Sequence, residues 1–185
     1  MDLSDEELVR LSQKGDLKAF ELLVERYQKR VFTVAYGLVH DADEAQDLTQ
    51  ESFIRAYHAI ETFRGAARFY TWIYRITVNL CMDYFRRQVV EQAVVTAEQD
   101  LDPDSTTPDT LATQHEMSQA VHQAIRALPT DQRTVIILRE LEGLSYKEIA
   151  RVMGSSIGTV MSRLFYARKR LRELLKPYFR GESHE

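Results

Sequence analysis

Apolar residues recur at steps of three and four along the first half of this chain, and no convincing two-residue alternation interrupts them. That period predicts helices that pack through one face. Ser4 and Glu7 form the S-x-x-E pattern of a capping box, so a short helix should begin there and run to about Lys14. Gly15 should end this helix, and Asp16 should cap the next one.

Three longer helices are predicted to follow, each defined by the apolar residues of its inner face. The second begins at Leu17, and its inner face should consist of Phe20, Leu23, Tyr27, Val31, Val34 and Leu38. The third follows Asp41 and should bury Ala45, Leu48, Ser52, Phe53, Ala56, Tyr57 and Ile60. The fourth covers residues 69–87 and should direct inward Trp72, Ile76, Leu80 and Tyr84. We therefore predict an all-α fold.

The run from Leu144 to Leu164 has the spacing of a helix-turn-helix. Ala150 is small where two helices would cross closely, and Gly154 stands where the chain must turn sharply with a positive φ. Ser155 or Ser156 can cap the second helix and leave its amino end free to face phosphates or bases. An ordinary αα-hairpin that packs a core is the alternative interpretation.

The two faces of that second helix differ in chemistry. The face toward the core should consist of Ile157, Val160, Leu164, Ala167, Leu171 and Leu174. The opposite face presents Thr159, Ser162, Arg163, Tyr166, Lys169, Arg170 and Arg172, with Met161 and Phe165 at its margins. Five basic residues and one acid lie within 163–173, which favours contact with phosphate, although a simply solvated face is possible.

The net charge of −4 is unusual for a protein that would bind DNA, but the charge is unevenly distributed. Residues 88–116 carry seven acidic side chains and no basic one, whereas residues 117–185 carry 12 basic and seven acidic side chains. This acidic middle, with its prolines and weak periodicity, predicts a linker that is flexible at least in part. We expect two helical domains, at 1–87 and 117–180, joined by the linker at 88–116.

Several classes of protein are disfavoured by what the sequence lacks. No apolar run approaches the ~18 residues of a membrane span, and the acidic amino terminus is unlike a secretion signal. Cys81 is a lone cysteine, best interpreted as a small core residue, and the scattered histidines disfavour a zinc site. Because no phosphate loop, paired metal ligands or nucleophile–base pattern appears, we predict a cytoplasmic protein without enzymatic activity, cofactor or metal.

Two surfaces of the amino-terminal domain are candidates for binding. The outer side of the third helix is rich in acids and amides, namely Asp43, Glu44, Gln46, Asp47, Gln50 and Glu51. The helix dipole explains acids in the first turn only, so the rest indicates either docking onto a basic partner or ordinary stabilisation. The second surface, residues 63–75, interleaves arginines with aromatic rings, as proteins that hold single-stranded nucleic acid do. It could stabilise locally opened DNA, because stacking contributes about 1–3 kcal/mol per base.

Taken together, these motifs resemble those of the bacterial extracytoplasmic-function (ECF) sigma factors. The similarity lies in residues 43–57, in Phe63-Arg-Gly65, in Thr71-Trp-Ile-Tyr-Arg75 with Asn79, and in residues 158–164, all in the family's order. The resemblance implies a two-domain helical initiation factor that directs core RNA polymerase to promoters and helps melt them.

The resemblance also implies roles for particular residues. The polymerase β′ clamp coiled-coil would bind Asp43, Glu44, Asp47, Gln50 and Glu51. The minus-ten element would be contacted by Phe63, Arg64, Arg68, Phe69, Tyr70, Thr71, Arg75, Asn79, Arg86 and Arg87. The minus-thirty-five element would be contacted by Ser156, Thr159, Met161, Ser162, Arg163, Phe165, Tyr166, Arg168 and Lys169. The polymerase β flap and an anti-sigma factor are further implied partners. Positions 161 and 166 are frequently basic in the family, so Met161 and Tyr166 predict more reliance on DNA shape.

The alternative is a one-component helix-turn-helix regulator that binds duplex DNA without polymerase. Such a regulator would leave the arginine–aromatic segment and the acidic face without a role. The two hypotheses differ in whether promoter binding requires core polymerase.

Overall fold

The computed structural model describes residues 3–95 and 114–179, and all regular secondary structure within these ranges is helical. The prediction of an all-α chain is confirmed. A 3₁₀ turn at Ile60–Thr62 follows the third helix, and a π-helical turn at Ile137–Leu141 continues the sixth. The helices are α1 (Asp5–Ser12), α2 (Leu17–Val39), α3 (Ala42–Ala59), α4 (Phe69–Val95), α5 (Gln114–Arg126), α6 (Thr130–Ile136), α7 (Tyr146–Met153) and α8 (Ile157–Phe179). None of these described helices has the length and apolarity that crossing a membrane requires.

Helices α1 and α2 begin at the N-cap residues that the sequence predicts, Ser4 and Asp16. The Ser4 amide donates to Glu7 Oε2 at 2.9 Å, and the Glu7 amide donates to Ser4 Oγ at 3.3 Å, which completes the capping box of α1. Gly15 ends that segment with a φ of +89°. Asp16 then accepts the Ala19 amide at 3.2 Å, so α2 begins where the sequence indicates.

Helix α2 packs against α1, α3 and α4, and all six apolar residues predicted for its inner face are buried. The prediction for α3 is wrong at one position. Tyr57 is 42% exposed, and its ring meets the edge of the Phe20 ring at a centroid distance of 5.1 Å. A phenol can lie at such a boundary because its ring packs while its hydroxyl stays in water.

Helix α4 differs most from its predicted inner face. Leu80 is buried as expected, but Trp72, Ile76 and Tyr84 are only partly buried. The fully buried side chains lie beside them, at Ile73, Tyr74, Thr77 and Cys81. Helix α4 packs against α2 and α3 on one side and against α7 of the carboxy-terminal domain on another, so it has more than one inner face.

The end of α4 also differs from the prediction. The helix continues to Val95, which is eight residues past the predicted end at Arg87. Residues 88–95, the first part of the predicted linker, are therefore helical. Helix α5 begins at Gln114, so the last residues of the predicted linker are helical too. Residues 96–113, which make up most of that linker, lie outside the described residues.

The carboxy-terminal domain consists of α5 to α8 and contains the predicted helix-turn-helix in α7 and α8. Gly154 ends α7 with a φ of +60°, as the turn requires. Ser156, and not Ser155, caps α8, because Ser156 Oγ accepts the Thr159 amide at 3.1 Å. The core-facing prediction for α8 holds at its centre, in Val160, Leu164 and Ala167, which are buried. It is wrong at both ends, because Ile157 is 46% exposed and Leu174 is 37% exposed.

Cys81 lies fully buried in α4, and burial raises the pKa of its thiol to about 12. Since the thiolate is the reactive form, we expect iodoacetamide at pH 8 to alkylate the native protein roughly a thousandfold more slowly than the unfolded protein. Mass spectrometry over a denaturant series measures this. A C81A variant carrying a cysteine at exposed Lys18 serves as the fast-reacting control. Equal rates for native and unfolded wild-type protein would contradict the buried position.

Candidate nucleic-acid interface

The arginine–aromatic segment consists of a loop at residues 63–68, after the 3₁₀ turn, and of the first two turns of α4. Gln13, which caps the carboxyl end of α1, holds the loop backbone, because its Nε2 donates to the carbonyl oxygens of Ile60 at 3.0 Å and Phe63 at 2.8 Å. Gly65 turns the loop with a φ of +67°. The loop is therefore braced at its entry while its arginine side chains at positions 64 and 68 are exposed.

The predicted minus-ten residues divide into supporting and surface side chains. Phe69 and Thr71 are each only 2% exposed, so in this structure they support the loop from below. The Phe63 ring is partly buried and lies 4.9 Å from the Trp72 ring, centroid to centroid. Tyr70 is also partly buried. The side chains that remain at the surface are Arg64, Arg68, Arg75, Asn79, Arg86 and Arg87.

A cavity of about 810 Å³ opens beside this loop. That volume lies within the range of about 300–1,000 Å³ found for small-molecule sites. Aromatic rings and guanidinium groups line it together, a combination suited to a base and its phosphate. The residues that contribute these groups are Tyr27, Phe63, Phe69, Tyr70, Arg10, Arg30, Arg64, Arg68 and Arg151.

Sequence reasoning missed several of these lining residues. Arg10 comes from α1, Gln13 caps the carboxyl end of α1, Arg30 comes from α2 and Arg151 from α7, all distant in sequence from the loop. Helix α1 is tied to α2 by Asp5, which accepts from Arg26 at 2.5 Å and from the Tyr27 hydroxyl. Burial and the hydrogen bond to Asp5 raise the pKa of Tyr27, so its phenol stays protonated. No local pattern marks such long-range neighbours.

The predicted duplex-reading face of α8 is open to solvent in its centre. Met161, Phe165 and Tyr166 are 54%, 64% and 57% exposed, which is unusual for large apolar side chains. Ser162 and Lys169 are exposed beside them. The Ser156 and Thr159 hydroxyls lie 2.9 Å apart at the amino end, where they serve the cap. The exposed face of α8 is therefore an apolar strip of Met161, Phe165 and Tyr166 with the basic Lys169 at its edge.

Two arginines of this helix are already paired within the carboxy-terminal domain. Arg163 donates to Asp131 at 2.5 Å, and Arg168 donates to Glu140 at 2.6 Å through Nη2. The hydrogen bond that Arg168 donates to Glu140 raises the pKa of Arg168. All four partners are at least partly exposed, so solvent screens both ion pairs. Contact of either arginine with phosphate would require it to leave its carboxylate.

The acidic face of α3 is exposed at Asp43, Asp47 and Gln50, whereas Glu44 and Glu51 are partly buried. Glu51 accepts from Arg55 at 2.7 Å, one turn along the helix. Sequence reasoning missed Ile54, which is 52% exposed and follows Gln50 by four positions. The i, i+4 spacing places both on one side of the helix, so this face combines carboxylates with an exposed apolar side chain.

The fold combines a helix-turn-helix whose outer face is exposed with a separate cavity lined by arginines and aromatic rings, two features typical of proteins that bind nucleic acid. Two family models match the chain in the same order, "Sigma-70 region 2" at residues 23–90 and "Sigma-70, region 4" at residues 118–171. The chain belongs to the ECF sigma factors of RNA polymerase, because it is 41% identical, over 96% of its length, to the ECF RNA polymerase sigma-E factor of Escherichia coli K12, of which 97% is covered.

Other relatives and solved structures are similar over comparable lengths. The RNA polymerase sigma-H factor of Pseudomonas aeruginosa is 43% identical, with 95% of this chain and 96% of the relative covered. CnrH, solved in complex with the cytosolic domain of CnrY, superposes with a TM-score of 0.72 and 25% identity over 94% of this chain and 97% of that one. The sigma factor RpoE of Bartonella quintana, solved with the anti-sigma factor NepR, gives a TM-score of 0.69 and 26% identity over 86% of this chain and 98% of that one.

Proposed function

We propose that this sigma factor directs core RNA polymerase to its promoters and assists their melting by binding DNA at two separate sites. The observation that carries the proposal is the presence of both kinds of site on one chain. The exposed face of α8 suits the major groove of a duplex, and the arginine–aromatic cavity suits an unpaired base. We propose further that it acts without enzymatic activity, which its similarity to RNA polymerase sigma factors supports.

The proposed domains follow from the sites. Residues 1–87 would bind core polymerase and the minus-ten element, residues 117–180 would bind the minus-thirty-five element, and residues 88–116 would link them. The acids of the linker, all within its 29 positions, would mimic nucleic-acid charge on the way toward the RNA exit path. The protein would act in the cytoplasm, where its polymerase works.

At the minus-ten element, we propose that Arg64 and Arg68 hold backbone phosphates while an unpaired base enters the cavity next to Phe63 and Tyr70. Base stacking of about 1–3 kcal/mol is comparable to the few kcal/mol needed to extrude a base from a duplex. Phe69 and Thr71 would act from beneath the loop as supports. Along the outer side of α4, Arg75, Asn79, Arg86 and Arg87 would continue this surface.

At the minus-thirty-five element, Met161, Phe165 and Tyr166 would make apolar contacts in the major groove, where thymine presents a methyl group. Ser162 can hydrogen-bond a base edge, and Lys169 can neutralise a phosphate. Ser156 and Thr159 would place the helix amino end near the backbone. Arg163 and Arg168 would also bind DNA phosphates, after leaving their carboxylate partners Asp131 and Glu140.

For core polymerase, we propose that Asp43, Glu44, Asp47, Gln50 and Glu51 meet a basic surface of the β′ clamp coiled-coil. The carboxy-terminal domain would meet the β flap. The solved complex of Bartonella RpoE with the anti-sigma factor NepR supports an anti-sigma factor as a further partner.

The test is promoter binding with and without polymerase. Promoters selected from a random library with reconstituted holoenzyme supply the probe. We expect the purified chain to shift this DNA only when core polymerase is added, because the net charge of −4 gives weak attraction to DNA on its own. Specific, high-affinity binding by the chain alone would overturn the proposal in favour of a one-component regulator.

A further inference from the structure

Two ion pairs join α8, whose outer face is the proposed reading surface, to the segment that packs against it. That segment is α6 with its π-helical continuation. Asp131 of α6 accepts from Arg163, and Glu140 of the π-helical turn accepts from Arg168 Nε at 3.2 Å and Nη2 at 2.6 Å. Both carboxylates therefore come from one continuous stretch of helix, and each occupies one arginine of α8.

The two arginines lie on either side of the apolar strip of α8. Five residues along an α-helix correspond to a rotation of about 140°, so Arg163 and Arg168 leave α8 in different directions. On the outer side of the helix, Met161, Phe165 and Tyr166 lie between these directions. A helix that enters the major groove has a phosphate backbone on each side of it. Each ion pair therefore occupies an arginine on the side of α8 along which a backbone would pass.

Arg168 is open to an incoming anion. Its side chain is 46% exposed, and it lines a cavity of about 570 Å³ at the edge of the apolar strip. Lys169 and Arg172 line the same cavity. A phosphate that enters there meets three cationic side chains, and Glu140 already binds one of them.

Carboxylate and phosphate are alternative partners for one guanidinium, because both bind its planar fork of N–H donors. The Asp131 and Glu140 side chains are 54% and 49% exposed, so solvent screens their pairs with the arginines. Breaking one exposed pair of this kind lowers an equilibrium constant by about 1.4- to 5-fold. The released carboxylate would also stay near the phosphate and repel it. Each carboxylate thus opposes DNA binding without preventing it.

We propose that Asp131 and Glu140 compete with DNA phosphates for Arg163 and Arg168, and so lower the affinity of the free chain for duplex DNA. This inference rests on the proposed function and deepens it, because it names two residues that make duplex binding depend on polymerase. In the holoenzyme, contacts elsewhere hold α8 close to the promoter, and the high effective concentration of DNA offsets the cost of breaking both pairs. The free chain must meet that cost through its own contacts with DNA.

The test measures binding of the full chain, without polymerase, to a fluorescein-labelled duplex of random sequence. Anisotropy is followed at roughly 50 mM salt, where weak phosphate contacts are measurable. We expect Asp131→Asn and Glu140→Gln each to tighten binding by about two- to fivefold, and the double variant by about 4- to 25-fold. A variant that had merely lost structure would bind more weakly, so a gain in affinity separates competition from a folding defect.

The matched control is Glu173→Gln, which removes an exposed carboxylate of α8 itself that forms no ion pair within the described part of the chain. It should tighten binding less than twofold, because it releases no arginine. A second control repeats Glu140→Gln in an Arg168→Ala background, where the gain should disappear. An equal gain in Glu173→Gln, or a gain that persists without Arg168, would show an effect of net charge and overturn the proposal.

Unchanged affinity in the double variant would overturn it as well, because the arginines would then bind phosphate without competition. These outcomes are independent of the proposed function, since the duplex carries no promoter and polymerase is absent. Promoter binding by the parent chain, with and without core polymerase, tests that function separately. Failure there would leave the effect of the two carboxylates on duplex affinity as measured.

Discussion

Reversing the charge at Asp47 and Glu51, as D47K/E51K, should weaken association with core polymerase by at least about tenfold. The acidic face of α3 is exposed at Asp47 and borders the exposed Ile54, as expected of a surface that meets a basic partner. Close charge pairs across interfaces couple by about 1.5–7 kcal/mol, and each 1.4 kcal/mol corresponds to about tenfold in affinity. Fluorescence anisotropy of labelled protein, titrated with core polymerase, measures the change.

Folding should survive this double change. Among the described residues Glu51 pairs with Arg55 in its own helix, at an i, i+4 position where such a pair contributes about 0.2–0.5 kcal/mol. The control is E21K/E25K on α2, which alters the net charge equally at two exposed positions outside α3. If D47K/E51K binds core polymerase as tightly as this control does, the acidic face is a solvated surface and the docking site lies elsewhere.

Features set by neighbouring residues could be predicted from the sequence. The capping box of α1, Gly15, Gly154 and the inner face of α2 each depend on interactions within one or two helical turns. The same holds for the helix-turn-helix, since a few spaced residues define its turn. The centre of the predicted reading face of α8 is exposed for this reason. The choice of Ser156 over Ser155 as the cap, and the exposure of Ile157 and Leu174, could be learned only from the structure.

Features set by contacts between distant parts of the chain could not be predicted. Helix α4 is buried against both domains and therefore has more than one inner face. A prediction that assumed one apolar face gave Trp72 and Tyr84 as core residues, whereas they are only partly buried. The Glu142 carboxylate, nearly buried between Arg30 and Tyr74, is indistinguishable in sequence from a solvated acid. Similarly, the sequence indicates that Arg163 and Arg168 are free to bind phosphate, because their carboxylate partners are 32 and 28 positions away.

The second large effect concerns melting of the promoter. Replacing Phe63 or Arg64 with Ala should leave assembly with core polymerase unchanged and reduce promoter opening. Phe63 lies against Trp72 at the edge of the cavity, and Arg64 is exposed above it. Loss of one stacking contact removes about 1–3 kcal/mol, which predicts a reduction of about 5- to 150-fold in the open fraction. Permanganate reactivity of unpaired thymines measures that fraction.

The loop backbone should keep its position in both variants. Gln13 binds backbone carbonyl oxygens of the loop, including that of residue 63, and Gly65 provides the turn. These two features do not depend on the side chains that the variants remove. Tyr36→Ala and Lys18→Ala remove an exposed ring and an exposed charge on α2 at positions that do not line the cavity, and should open promoters normally. If F63A and R64A also open promoters normally while duplex binding is intact, the cavity does not capture a base. The aromatic cluster would then serve only to join α1, the loop and α4.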